Sequence, residues 1–374
     1  MPRTDDTATA VAAGHGLPAW SWALPALAWI LLVVLSASAA GGLGALVLAA
    51  ALFGTVFAAV HHAEVIAQRV GEPFGTLVLA IAVTVIEVAL IVSIMLSAGA
   101  PKPTLARDTV FAAVMLVCNG LVGLCIVLGG ARFYETEFRS RAAASYLAVL
   151  VVLATSTLVL PDFTLSAPGP FYNTAQLVFA SVVSLVLYGV FLFVQTMRHR
   201  DYFLPLTGVP GDEEGHAAVP TGRQTLLSAL LLPVALGAVV LLAKALSPAL
   251  EASVRALGAA QPAAVVGVVV AAMVLLPESL AALRAARANR LQTSLNLALG
   301  SALASIALTI PAVAAASLWL GQPLVLGLDM KELVLLLLTF IVATLTLGGG
   351  RVTVLQGAVH LVILAMFLLI VVVP

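Results

Sequence analysis

Charged residues are scarce in this chain of 374 residues. Asp, Glu, Lys and Arg together make up 9% of it, against about 25% in soluble globular proteins. The 17 basic and 17 acidic residues balance, so no excess of positive charge points to nucleic acid as a partner. A water-soluble fold needs a polar surface that this composition does not supply.

Cysteine is also nearly absent, with Cys118 and Cys125 as the only two. They lie seven positions apart in one apolar run, which separates them by about 10 Å along a helix. That distance is too long for a disulfide within the helix. We interpret both as small packing residues and infer nothing from them about the redox compartment.

The short alternating segments of a β-barrel are missing as well, whereas long apolar runs fill the chain. Hydrophobic residues account for 62% of the sequence, and the mean hydropathy is +1.15. An apolar helix of about 20 residues spans the hydrocarbon core of a bilayer. Composition and run length therefore predict an all-α polytopic membrane protein.

Eleven apolar runs are separated by polar breaks, and each predicts one transmembrane helix. The tenth run is the shortest, so its ends are the least certain. The runs are Trp20–Ala40, Gly42–Val60, Phe74–Leu96, Thr109–Gly129, Ala144–Leu160, Thr174–Met197, Leu226–Leu246, Ala263–Leu283, Leu291–Leu320, Leu333–Leu347 and Val352–Val373.

Basic residues are distributed unequally between alternate breaks. Twelve fall on the side of the N-terminus: Arg3, Arg69, Arg132, Arg139, Arg141, Arg198, Arg200, Arg223, Arg284, Arg287, Arg290 and Arg351. Four fall on the other side: Lys102, Arg107, Arg255 and Lys331. Because cytoplasmic loops carry the excess of Lys and Arg, this count supports eleven helices and predicts a cytoplasmic N-terminus.

The longest polar break divides the chain into two halves of five helices. We expect a tail and an extra first helix at residues 1–41, one half at 42–197, a linker at 198–225 and the second half at 226–374. Because five is odd, two similar halves would lie upside down relative to each other, as in the inverted repeats of many transporters. The acidic run Asp212–Glu214 in the linker is interpreted as a solvated stretch.

Two of the predicted helices each carry one carboxylate. Glu87 lies in the third helix, with Thr84 three residues earlier on the same face. Glu278 lies in the eighth, directly after Pro277, which leaves the carbonyl of Met273 without its helical partner. Ionisable side chains inside a membrane span are costly and mark functional sites. The third and eighth helices are equivalent in an inverted repeat, so both glutamates are predicted to meet at one site.

Other polar residues inside the predicted helices are weaker candidates. Ser301, Ser305 and Thr309 form a stripe at helical spacing in the ninth helix, where Ser301 is the favoured ligand and close helix packing is the alternative. Asn119 in the fourth helix is a similar candidate. His360 is interpreted as a structural residue. The segment containing His61, His62 and Glu64 lacks the HExxH spacing of a metalloprotease.

Two segments carry a resemblance to a known family. GEPFGTLVLAIAVTVIEVALIVS at residues 71–93 and PESLAALRAARANRLQTSLNLALGSALASIALTIP at residues 277–311 resemble the two α-repeats of the calcium/cation antiporter superfamily. The similarity is greatest to its bacterial ChaA-type branch and covers nearly the whole chain. It implies exchange of Ca²⁺ or Na⁺, in some members K⁺, against protons by alternating access.

The resemblance also implies roles for individual residues. Glu87 and Glu278 match the glutamates of the GNxxE motifs of the two repeats. Ser301 matches the serine of the second repeat's other helix, and Asn119 matches the asparagine of the first.

This chain departs from the family pattern at three positions. Thr84 and Leu275 replace the motif asparagines, and Ala304 replaces a glutamine. Fewer polar ligands remain than in calcium exchangers, so a strict preference for Ca²⁺ does not follow from the resemblance.

Together these features predict a secondary antiporter in the plasma membrane, with its C-terminus outside. Its expected partners are inorganic cations, protons and the lipid bilayer, and no cofactor is expected. A cation channel with a carboxylate filter is the main alternative, and proton-coupled uptake of an organic solute is a weaker one. The predicted helices contain no nucleophile–base set and no metal-binding motif, so the sequence does not favour an intramembrane enzyme. The preferred cation, the stoichiometry and the oligomeric state stay open, as do a cation-sensing role for Asp212–Glu214 and a proton-path role for His360.

Overall fold

A computed structural model of the chain describes residues 16–35, 42–71, 74–95, 103–167, 169–204, 219–256 and 262–373. Within them, ten helices are long and apolar enough to cross a membrane, which confirms the all-α polytopic class. Numbered in chain order after the shorter helix α1 Ala19–Leu35, these ten are α2 Gly42–Val70, α3 Phe74–Met95, α4 Leu105–Phe133, α5 Ser140–Phe163, α6 Thr174–Arg198, α7 Gly222–Ala256, α8 Pro262–Arg287, α9 Leu291–Leu320, α10 Met330–Gly348 and α11 Val354–Val372.

The helices extend beyond several of the predicted apolar runs. α2 continues for ten residues past Val60, and α10 has 19 residues instead of a short run. α1 has 17 residues and is shorter than the other ten, so the count of eleven membrane-crossing helices stays a prediction. Polar residues at a helix end can remain helical when they face a loop or a headgroup, which explains why apolar runs underestimate helix length.

Four helices contain a π-helical turn, in which the backbone bonds skip one extra residue. These turns are Leu116–Leu121 in α4, Thr155–Val159 in α5, Val194–Arg198 in α6 and Ser305–Thr309 in α9. Such bulges occur mostly inside longer α-helices and frequently at functional sites. α4 and α9, each the third helix of its half when α1 is set apart, are also the most deeply buried of the long helices.

Connections on each side of the helix array contact one another. On one side, Glu135–Glu137 between α4 and α5 pairs antiparallel with Arg351–Thr353 between α10 and α11. On the other, Val325 N–H donates to the Pro103 carbonyl, and Leu328 N–H donates to the Leu158 carbonyl. Alternate connections therefore share a side, as the predicted alternation requires. The side with the short sheet carries most of the arginines and is called the arginine-rich side below.

Glycines allow close helix crossings around α4. A Cβ at Gly357 of α11 would lie 2.7 Å from the carbonyl oxygen of Gly123 in α4. A Cβ at Gly267 of α8 would lie 3.0 Å from the backbone nitrogen of Thr109 in α4. Small residues of this kind are how membrane helices approach closely without a hydrophobic driving force. They hold α8, which carries Glu278, against the centre of the array.

A buried cluster of charged residues around Arg107 lies on the side of the helix array opposite to the arginine-rich side. Arg107 donates at 2.8 Å both to Asp108 and to the Gly327 carbonyl, and its guanidinium lies 4.0 Å from Glu332 and 3.9 Å from Asp329. The Arg107 and Asp108 side chains are 7% and 4% exposed. The cluster therefore ties the start of α4 to the start of α10 and to the loop before it.

Arg107→Met is expected to lower the free energy of unfolding by about 3–5 kcal/mol, because it leaves buried carboxylates without their cation. Arg351→Met is the matched control, since the Arg351–Glu137 pair at 2.6 Å is 62% and 54% exposed and such pairs contribute about 0–1 kcal/mol. Thermal unfolding of both variants in detergent measures the difference. Equal shifts of the midpoint would contradict a structural role for the cluster.

Candidate functional site

Glu87 lies deep in the helix array and contacts the π-helical turn of α9. It is 13 residues from the start of α3, about 20 Å along the axis, and is only 2% exposed. The Ser305 hydroxyl donates a hydrogen bond of 2.6 Å to Glu87 Oε2, whereas Glu87 Oε1 is buried and has no hydrogen-bond partner in the described part of the chain. A short bond of this kind to a carboxylate fixes one oxygen and leaves the other free to bind a proton or a cation.

Two further hydroxyls lie on the helices around Glu87. The Thr309 hydroxyl is buried beside the same carboxylate and is oriented so that it can interact with it. Thr84, one turn before Glu87, donates to the Ala80 carbonyl of its own helix at 2.8 Å. Hydroxyl oxygens retain free lone pairs in such bonds. The surroundings of Glu87 thus offer oxygen ligands, which hard cations prefer.

Glu278 is the second carboxylate of the site. α8 is one continuous helix from Pro262 to Arg287, and Pro277 lies inside it. Glu278 Oε2 is buried without a hydrogen-bond partner, and the carboxylate is close enough to interact electrostatically with both Glu87 and Glu64. Both predicted glutamates therefore lie in one region of the helix array, with Glu64 as a third acidic side chain nearby. Their role as a shared site stays a prediction.

Two other predicted ligands lie beside the site without a contact to a carboxylate in the described residues. Ser301 is partly buried one turn before Ser305 in α9. Met273 is buried and lines an apolar cavity of about 340 Å³ between α2, α3, α7 and α8. Leu90, one turn beyond Glu87, lines the same cavity, which therefore reaches the site from the side opposite to the arginine-rich side. The ligand roles of Ser301 and of the Met273 carbonyl stay predictions.

Asn119 lies in the π-helical turn of α4, where its amide is engaged in a separate buried network. Its Nδ2 donates to the Thr339 hydroxyl at 2.9 Å, and its Oδ1 lies 3.2 Å from His360 Nδ1. His360 Nε2 in turn lies 3.1 Å from the Thr346 hydroxyl. The network joins α4 to α10 and α11, so a cation at Asn119 would have to displace these partners.

From the sequence, Glu64 is considered only when a metalloprotease motif is excluded, because the predicted second helix ends at Val60. No Gly or Pro interrupts residues 61–70, and this absence of a stop signal could have indicated that the helix continues. Ser305 was named only as one member of a stripe. In the described part of the chain, no three His, Cys, Asp or Glu side chains converge to hold one metal ion. Asp212–Glu214 lies outside the described residues.

Comparison with known proteins identifies the family. The model of the sodium/calcium exchanger protein family matches residues 40–197 and 227–373. This chain belongs to that family. The two matched segments contain the carboxylates of α3 and α8, one in each, and the hydrogen bond from Ser305 to Glu87 joins the first segment to the second.

Two relatives resemble the exchanger along most of its length. A protein of Sinorhizobium fredii named as an ionic transporter, y4hA, is 51% identical over 96% of this chain and 97% of its own. The sodium-potassium/proton antiporter ChaA of Escherichia coli is 34% identical over 85% of this chain and 86% of its own. These matches confirm the predicted superfamily and its ChaA-type branch.

Solved structures share the fold of the exchanger. Native YfkE superposes with a TM-score of 0.71 at 17% identity, covering 95% of this chain and all 100% of that one. The H⁺/Ca²⁺ exchanger CAX gives a TM-score of 0.68 at 16% identity and covers 93% of this chain and 87% of that one. The protein is therefore a multi-pass membrane protein with the fold of the cation exchangers.

Proposed function

We propose that this exchanger moves an inorganic cation, Ca²⁺ and/or Na⁺ with K⁺ as a further candidate, against protons, with Glu87 and Glu278 as one shared site. The observation that carries the proposal is a pair of carboxylates, one per half, of which Glu87 Oε1 and Glu278 Oε2 are buried and lack hydrogen-bond partners within the described residues. ChaA is named for sodium, potassium and protons and CAX for calcium and protons, so the relatives support this class of substrate.

Competition for the pair produces the exchange. Two ionised carboxylates in an apolar interior repel each other and have lost their hydration, which costs several kcal/mol per charge. A cation ligated by both, or protons bound to them, offsets this cost. Either occupant excludes the other because both neutralise the same oxygens. The site therefore holds a cation or protons and is unfavourable when empty.

Cation and proton movement are coupled if the empty site, with both carboxylates ionised, cannot change between its inward-facing and outward-facing states. The apolar cavity bounded by Leu90 and Met273 lies on one side of the pair, and such a surface offers no ligands to a bare charge. A neutralised site crosses this region at lower cost than an ionised one. Alternating access of the two halves would then carry cation one way and protons the other. We assign the arginine-rich side to the cytoplasm on the basis of the positive-inside rule.

A cation panel with a pH-sensitive dye tests this function. Purified protein in proteoliposomes loaded at low pH is expected to release protons when Na⁺, K⁺ or Ca²⁺ is added outside, with saturable initial rates. The response should persist when the membrane potential is clamped with an ionophore whose ion is absent from the test pulse. Flux that follows the potential, without proton movement and without saturation, would instead indicate a channel.

A further inference from the structure

A third carboxylate lies between the candidate site and the arginine-rich surface. α2 has 29 residues, about 44 Å of helix, so it extends beyond the hydrocarbon core of about 30 Å. Glu64 is six residues before the last residue of α2, Val70, and therefore about 9 Å from that end. This position is where the helix leaves the hydrocarbon.

Glu64 lies on the face of α2 that turns toward the site helices. His62, two positions earlier and about 160° away around the helix, contacts the Ser21 carbonyl of α1 and the Ser228 hydroxyl of α7. The opposite face is turned toward α3 and α8, which α2 also contacts. The electrostatic interaction between Glu64 and Glu278 agrees with this orientation.

Glu64 is also exposed and unpaired. Its side chain is exposed, and within the described residues no hydrogen bond or ion pair engages it. Arg69, the nearest basic residue along α2, is directed toward the Pro220 carbonyl at 3.4 Å. An exposed charge facing lipid would be costly, so its free surface meets water at the mouth of the array.

The three acidic residues Glu64, Glu278 and Glu87 lie at increasing depth below the arginine-rich surface. Glu64 is about 9 Å from the end of α2, and Glu278, nine residues before Arg287, is about 14 Å from the end of α8. Glu87 is about 20 Å from the corresponding end of α3. The depths increase by about 5–6 Å from one carboxylate to the next, and Glu278 interacts electrostatically with both Glu64 and Glu87.

We propose that Glu64 is the access carboxylate of the exchanger, which collects cations at the arginine-rich surface and passes them to Glu278 and then to Glu87. The inference rests on the proposed function. The surrounding surface repels cations because most of the basic residues lie there. One exposed carboxylate at the mouth restores a local negative potential and raises the cation concentration beside the site.

Side-specific transport kinetics of Glu64→Gln test the proposal. In vesicles that present the arginine-rich face, we expect the half-saturating cation concentration to rise about tenfold, the scale of local electrostatic concentration. In vesicles of the opposite orientation the value should stay at the wild-type level. Glu64→Asp should recover most of the loss. Glu135→Gln removes an exposed carboxylate from the same side, in the short strand between α4 and α5, and should change neither value.

Ionic strength provides a measurement that needs no variant. Screening by salt weakens attraction between exposed charges, so an inert salt should raise the wild-type half-saturating concentration on the arginine-rich face and leave that of Glu64→Gln flat. An unchanged value for Glu64→Gln, or equal changes on both faces, would overturn the proposal. Glu278→Gln is measured in parallel: if it is inactive while Glu64→Gln is normal, only the access role fails, whereas an active Glu278→Gln removes the proposed function itself.

Discussion

Replacing Glu278 by glutamine is expected to lower the initial rate of cation/proton exchange by about a hundredfold, which corresponds to about 3 kcal/mol. Glutamine keeps the size of the side chain and removes both the charge and the exchangeable proton. Glu278 Oε2 is buried and has no hydrogen-bond partner, so no neighbouring group can take over its role. The measurement is the initial rate of dye response in proteoliposomes at matched protein content.

Folding is controlled separately in this experiment. The thermal midpoint of Glu278→Gln in detergent should equal or exceed that of the wild type, because an unpaired buried carboxylate destabilises the folded state and its amide does not carry a charge. Glu135→Gln serves as the matched control, since it makes the same substitution at an exposed position. Exchange near the wild-type rate in Glu278→Gln would remove this residue from the site.

The helical class and both glutamates could be predicted because their signals are local. An apolar run of sufficient length indicates a membrane helix by itself, and a carboxylate within it is conspicuous because of its desolvation cost. Helix ends are less local. Residues 61–70 of α2 are mixed in polarity, so the end of the apolar run concealed the helical position of Glu64.

The partners of the polar side chains could not be predicted, because they depend on helix register and on distant contacts. Ser301 and Ser305 are one turn apart on the same stripe, and the π-helical turn that begins at Ser305 shifts the following side chains around the axis. Asn119 bonds to Thr339 and His360, which are 220 and 241 residues away in the chain. No spacing rule within a single helix contains this information.

Glu87→Gln is the second substitution with a large expected effect. We expect it to lower the initial rate of exchange about a hundredfold, as in Glu278→Gln. Glu87 is 2% exposed, and no other described group replaces its free Oε1. Proton release in response to each of Na⁺, K⁺ and Ca²⁺ should fall together, since all three would use the same oxygens. Loss of the response to one cation alone would indicate separate sites.

Removing the Ser305 hydroxyl that contacts Glu87 distinguishes positioning of the carboxylate from binding of the cation or the proton. Ser305→Ala removes the 2.6 Å bond to Oε2 and is expected to raise the half-saturating cation concentration about tenfold, because a hydrogen bond to a charged group contributes about 1.5–3 kcal/mol. Ser301→Ala should have a smaller effect. Ser145→Ala is the control, since that hydroxyl bonds only the Arg141 carbonyl of its own helix. A larger effect at Ser301 than at Ser305 would mean that the bond to Glu87 is not kept when the cation binds. The effect of Ser305→Ala should exceed that of Ser301→Ala because Ser305 positions the Glu87 carboxylate, whereas the carboxylate itself binds the cation or the proton.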